Sequence, residues 1–184
     1  MNVIKTALDG VMIIEPDVFA DERGFFMEAF EEKRYQRALG LSEHFVQDNL
    51  SLSKKGVLRG LHYQAPPYGQ GKLISVLSGS VLDVAVDIRH GSPTFGQHTT
   101  IELSGENHRQ LFVSAGFAHG FVVLSDSALF AYKCTNVYSQ EHDRSILWND
   151  PALGIDWGIA DPIVSEKDQR HPLLADIPQE YHFS

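Results

Sequence analysis

Arg59, His62 and Lys72 stand close together in the chain, in Arg59-Gly60-Leu61-His62-Tyr63-Gln64 and at the head of the apolar stretch that follows. An imidazole takes up a proton near neutral pH, an ammonium steadies the oxyanion left behind, and a guanidinium grips a phosphate. Moving protons beside a ketone in a phosphorylated sugar needs groups of these kinds. Tyr132 is a candidate proton donor and Asp168 a candidate partner for the imidazole. Each has a plainer reading when taken singly. A strand histidine is more often structural, a lysine at the start of a strand solvated, and a strand tyrosine packed with its hydroxyl satisfied. It is the combination that points to an enzyme.

Three constraints bear on that set. Arg59 and His62 point to opposite faces of a regular strand, so they share a cavity only if the strand is interrupted, and Gly60 is the candidate bulge. Asp83 and His119 form a candidate buried pair, read as scaffolding with substrate contact. Tyr68-Gly69-Gln70-Gly71-Lys72 enters a strand rather than a helix and matches no phosphate loop, so Arg23, Arg59 and Lys167 are the leading phosphate ligands. A metal is not expected, and no cofactor either. His-x-His is missing around His62, His119 is alone on its strand, and His90, His98, His108 and His171 fall in loop-like or polar stretches.

The elements that must hold these residues read mostly as strands. Leu82, Val84, Val86 and Ile88 form one aliphatic face, while Val81, Asp83, Ala85 and Asp87 form a small, acidic one suited to the inside of a liganded barrel. Lys72–Leu77 and this strand, joined by Ser78-Gly79-Ser80, read as a hairpin. Other strand-like runs are Val11–Phe19, Gly24–Phe30, Phe45–Leu52, Val57–Tyr63, Thr99–Leu103, Gln110–Val113, His119–Leu124 and Ala128–Thr135. A helix is predicted over Glu31–Leu39, stopped by Gly40, with short helical turns after Val164 broken by Pro172 and Pro178. Many short strands with regular turns predict an all-β fold, a jelly-roll barrel with a few short peripheral helices, in one domain over residues 1–184.

Composition agrees. Apolar residues make up 43% and charged residues 21% of 184, ordinary values for a globular domain. The net charge of −9 disfavours nucleic acid and anionic membrane, and an anionic substrate would need local cations to reverse the field. No apolar run is long enough to span a membrane, and Cys134 is the single cysteine, so the expected compartment is the cytoplasm.

Read together, several stretches resemble the dTDP-4-dehydrorhamnose 3,5-epimerase family. They are Asp21-Glu22-Arg23-Gly24-Phe25-Phe26-Met27-Glu28, Gln47-Asp48-Asn49-Leu50-Ser51, the run through His62, and Gly71-Lys72-Leu73-Ile74. Phe117-Ala118-His119-Gly120-Phe121, Tyr132-Lys133-Cys134-Thr135, Trp148-Asn149-Asp150-Pro151 and Ser165-Glu166-Lys167-Asp168 complete the series. The resemblance implies a cupin-type jelly roll, metal-free and homodimeric, that converts dTDP-4-dehydro-6-deoxy-D-glucose to dTDP-4-dehydro-L-rhamnose. It implies His62 as base with Asp168, Lys72 at the enolate oxygen, and Tyr132 returning a proton from the other face. Arg23 and Glu28 would reach substrate across the dimer interface, Gln47, Asn49, Arg59, His119 and Lys167 would bind it, and Tyr138 would stack on thymine. Asp143 stands where a glutamate is expected to touch the nucleotide, and Val137 where some relatives show an aromatic. Alternatives are a single-centre epimerase, a ketoisomerase, a non-catalytic sugar-nucleotide binding module and a metal-dependent oxygenase.

Overall fold

The computed structural model describes residues 1–181 and 183. Two antiparallel sheets face each other as a jelly-roll barrel. The first runs in the order β1 (Asn2–Lys5), β2 (Val11–Glu15), β10 (Gln110–Val113), β7 (Lys72–Ser78), β12 (Ser127–Cys134) and β5 (Gln47–Lys54). The second runs β13 (Asp143–Ser145), β6 (Val57–Gln64), β11 (Phe117–Val123), β8 (Ser80–Asp87) and β9 (His98–Ser104), with β14 (Ile163–Val164) beside β6. A separate hairpin, β3 (Val18–Asp21) with β4 (Gly24–Met27), stands away from both sheets. The one α-helix among the described residues, α1 (Glu32–Leu39), begins where the Glu31 carboxylate accepts from the Lys33 and Arg34 amides and ends at Gly40 with φ 69°.

Alternation divides the apolar residues among three cores. Val81, Ala85, Ile74, Val76, Phe121 and Phe130 fill the space between the sheets. Val84, Val86 and Ile88 face outward beneath the carboxy-terminal tail, against Trp157, Leu174 and Ile177. Tyr35 and Leu39 of α1 cover Ile14, Leu73 and Phe112 on the outside of the first sheet. The small, acidic face of β8 is therefore the barrel interior, as its residue pattern predicts. The tail is pinned against the second sheet by short 3-10 turns at Asp168–Arg170, Leu174–Asp176 and Gln179–Tyr181.

Two expectations about the strands need correction. Val11–Phe19 is not one strand: β2 and β3 separate at Pro16, which has no amide to donate to a ladder. Lys72–Ser78 and Ser80–Asp87 are not a hairpin: β7 pairs with β10 and β12, and β8 with β11 and β9. Ser78-Gly79-Ser80 instead carries the chain round a corner from one sheet to the other, so each strand buries its inner face against its counterpart.

Candidate active site

His62 and His119 are directly opposite each other on β6 and β11, while Phe121 pairs with Arg59. One residue of β11 thus spans two of β6, Gly60 and Leu61, which is the bulge the sequence requires. The bulge puts Arg59 and His62 on the same side of the strand, removing the conflict of faces. A Cβ on Gly60 would stand 2.8 Å from the Gly120 Cα, so a side chain is excluded where the two backbones meet.

Each imidazole has its carboxylate. His62 Nε2 lies 2.8 Å from Asp168 Oδ1, and His119 Nε2 lies 2.8 Å from Asp83 Oδ1. Asp168 comes from the tail and Asp83 from the neighbouring strand β8. Burial pushes the Asp168 carboxyl up, but the hydrogen bonds and charges of His62 and His171 outweigh it and hold the group below its ordinary value. With Nε2 donating to that carboxylate, the lone pair of neutral His62 sits on Nδ1, the nitrogen free to accept a proton.

Lys72 opens β7 in the opposite sheet, not on a strand adjacent to β6 as its place in the sequence suggests. Its ammonium nevertheless reaches the His62 carbonyl at 3.4 Å. Desolvation lowers its pKa, against the opposing pull of Cys134, Asp83 and Asp143. Tyr132 projects from β12 in that same sheet into the inner core, its ring 6.0 Å from Phe130. Desolvation raises the phenol's pKa, with Arg59 opposing, so the hydroxyl keeps its proton at neutral pH. His62 and Tyr132 thus arise from facing sheets.

A second group of polar residues is joined by hydrogen bonds. Gln47 accepts from the Tyr138 amide at 2.8 Å and donates to Asn49 at 3.0 Å, while the Tyr138 hydroxyl and the Lys167 ammonium reach Asp143 at 3.4 and 2.7 Å. Tyr138 is more than half exposed. Arg59 donates to Ser53 Oγ at 3.1 Å. Arg23 and Glu28 are not in this cluster: Arg23 binds Asp21 within the hairpin, and Glu28 binds Arg34 at 2.9 Å.

His171 was missed as a member of the site. Its Nε2 lies 3.3 Å from the same Asp168 Oδ1, so two imidazoles address one oxygen. Only its spacing three residues after Asp168, across a 3-10 turn, would have signalled it. The ligand shortage read from the sequence is accordingly less severe, since His62, Asp168 and His171 bring their donor atoms within 4.8 Å of one another.

The model of the dTDP-4-dehydrorhamnose 3,5-epimerase family matches residues 5–176. The chain belongs to that family. A Shigella flexneri dTDP-4-dehydrorhamnose 3,5-epimerase is 57% identical over 91% of this chain and 93% of its own length. The Legionella pneumophila dTDP-6-deoxy-D-glucose-3,5-epimerase, solved in complex with dTDP-4-keto-L-rhamnose, is 54% identical and superposes with a TM-score of 0.96 over 100% of this chain and 98% of that one. A more distant solved relative is a 3'-monoepimerase from Streptomyces bikiniensis in complex with dTDP-quinovose. It is 34% identical, with a TM-score of 0.87 over 92% of this chain and 86% of that one. Membership fixes the fold as the cupin-like barrel of these epimerases, and the enzyme class as an isomerase of nucleotide sugars.

Proposed function

We propose that the protein epimerises dTDP-4-dehydro-6-deoxy-D-glucose at C3 and C5, giving dTDP-4-dehydro-L-rhamnose. The observation that carries this reading is the placement of His62, bonded to Asp168 of the tail, on one sheet and protonated Tyr132 on the sheet facing it. The C4 ketone acidifies the hydrogens on both neighbouring carbons. His62 Nδ1 takes one of them, electron density moves onto the ketone oxygen as an enolate, and Lys72 stabilises that oxyanion. Tyr132 then protonates the same carbon from the opposite face, which inverts it. The phenolate is reprotonated from solvent and His62 releases its proton, so atoms and oxidation state balance without a cofactor. The same groups act again at the other carbon.

Arg59, His119, Asn49 and Gln47 bind the sugar and diphosphate, and Tyr138, Asp143 and Lys167 hold the nucleotide end. Asp143 carries out that role through its 2.7 Å bond to Lys167. The chain functions as one domain and as a homodimer. In support, every residue of β3 and nearly all of β4 is exposed, with Phe19 at 65% and Phe26 at 69%. The outer face of the first sheet presents Leu50 and Leu52, also largely exposed, beside a cavity of about 300 Å³ containing Phe30 and Leu77. A partner's hairpin laid on that face would bury these rings and carry Arg23 and Glu28 to the neighbouring site. Light scattering tests the assembly: a monomer at working concentration refutes it.

None of the described helices is long and apolar enough to cross a membrane, which accords with a cytoplasmic enzyme. Turnover of the keto sugar in D₂O, followed by proton NMR, tests the chemistry. Label at both C3 and C5 supports the double epimerisation, label at C3 alone supports a monoepimerase, and no turnover leaves a binding module.

A further inference from the structure

We infer that His171 is a positioning residue for the base: its ring shares Asp168 Oδ1 with His62 and so sets the pH at which His62 can take a proton. The inference rests on His62 being the base. His171 touches neither reacting carbon and acts through Asp168 alone.

The geometry is specific. Asp168 Oδ1 receives His62 Nε2 at 2.8 Å and His171 Nε2 at 3.3 Å, the two ring planes standing at 85° with centroids 6.4 Å apart. The side chains of Asp168 and His171 are 6% and 14% exposed, against 37% for His62. His171 is also held from both sides. The Asp168 amide donates to Ser165 Oγ at 3.1 Å, and the Pro172 carbonyl accepts from the Leu147 amide at 2.8 Å. The backbone on either side of His171 is thus anchored.

An oxygen that accepts two N–H groups has less negative charge to offer either one. When His62 becomes imidazolium, Asp168 therefore stabilises it less than an unshared carboxylate would, and the proton is surrendered more readily. Should His171 itself protonate, two cations compete for one carboxylate, and uptake at one ring opposes uptake at the other. Desolvation lowers the His171 pKa, against the pull of Asp168. Other charged or titratable groups face His171 from the packed elements. Tyr63, Asp143, Arg144, Asp176 and Tyr181 line a cavity with it, and Lys167 precedes the turn.

The test uses the full-length protein with ¹⁵N-labelled histidine and three forms: wild type, His171→Ala and His171→Gln. The glutamine keeps an N–H donor of similar reach but cannot titrate. Ring-nitrogen shifts of His62 are followed against pH without substrate, and the acid limb of kcat/KM is measured separately. The His62 midpoint and the acid limb are expected to move up together in His171→Ala, by about one pH unit, and to return toward wild type in His171→Gln, with melting temperatures alike. A His62 midpoint unmoved in both variants overturns the inference whatever the activity. A midpoint that moves in a protein with no turnover of the keto sugar upholds the coupling of the two rings through Asp168 and overturns the functional reading above.

Discussion

His62–Asp168 and His119–Asp83 are the same residue types at the same 2.8 Å separation, on directly opposed positions of adjacent strands. Their surroundings differ. The His119 side chain is 7% exposed and its carboxylate 0%, anchored strand to strand in one sheet, with Phe130 6.2 Å from the ring. The His62 side chain is 37% exposed, and its carboxylate arrives on a tail that also brings His171. Pair geometry therefore does not make a base. Exposure separates the two, together with a carboxylate that His62 shares with His171. The inner pair is buried and ties two adjacent strands together.

Substitutions at the two histidines separate these roles most sharply. His62→Asn is expected to lower turnover by about 10²–10⁴-fold, whereas His119→Asn acts chiefly on KM. Equal losses of turnover, measured with the keto sugar, would erase the distinction between the pairs.

Lys72 sharpens the comparison from across the barrel. Lys72→Met is expected to cost roughly 10²–10³-fold in turnover with little change in KM, because the oxyanion it serves exists mainly in the transition state. The same variant should melt no lower than wild type. Desolvation depresses the folded-state pKa of Lys72, so the buried charge burdens the fold below that pKa and the burden lifts as pH rises through it. A melting temperature that falls at neutral pH would show that the ammonium supports the fold.

The carboxylates give the smallest effect and the cleanest contrast. Asp83→Ala leaves a buried imidazole without its partner and should cost about 1–3 kcal/mol, or a drop of several degrees in melting temperature for a chain of this size. Asp168→Ala should spare stability more and turnover less. Calorimetry and kinetics on both variants check the reversal.

Much of this was legible in the sequence, for local reasons. Period-two alternation located β5 to β12 to within a few residues, and the acidic face of β8 pointed correctly into the barrel. Gly60 signalled the bulge because only a break in the strand could reconcile Arg59 with His62. Pairing was harder. Strands adjacent in sequence and joined by Ser78-Gly79-Ser80 look like a hairpin, yet two-sheet burial sends them to opposite walls. His171 stayed hidden because its partner lies across a single irregular turn, where no periodicity announces a shared face.

The central claim is that His62 removes a proton from one face of the sugar and Tyr132 restores one on the other. Tyr132→Phe in D₂O, followed by NMR of the keto sugar, tests it directly. The account predicts that hydrogen beside the ketone still exchanges, through His62, while inversion at the carbons falls by orders of magnitude. Inversion at the wild-type rate without the phenol would contradict it.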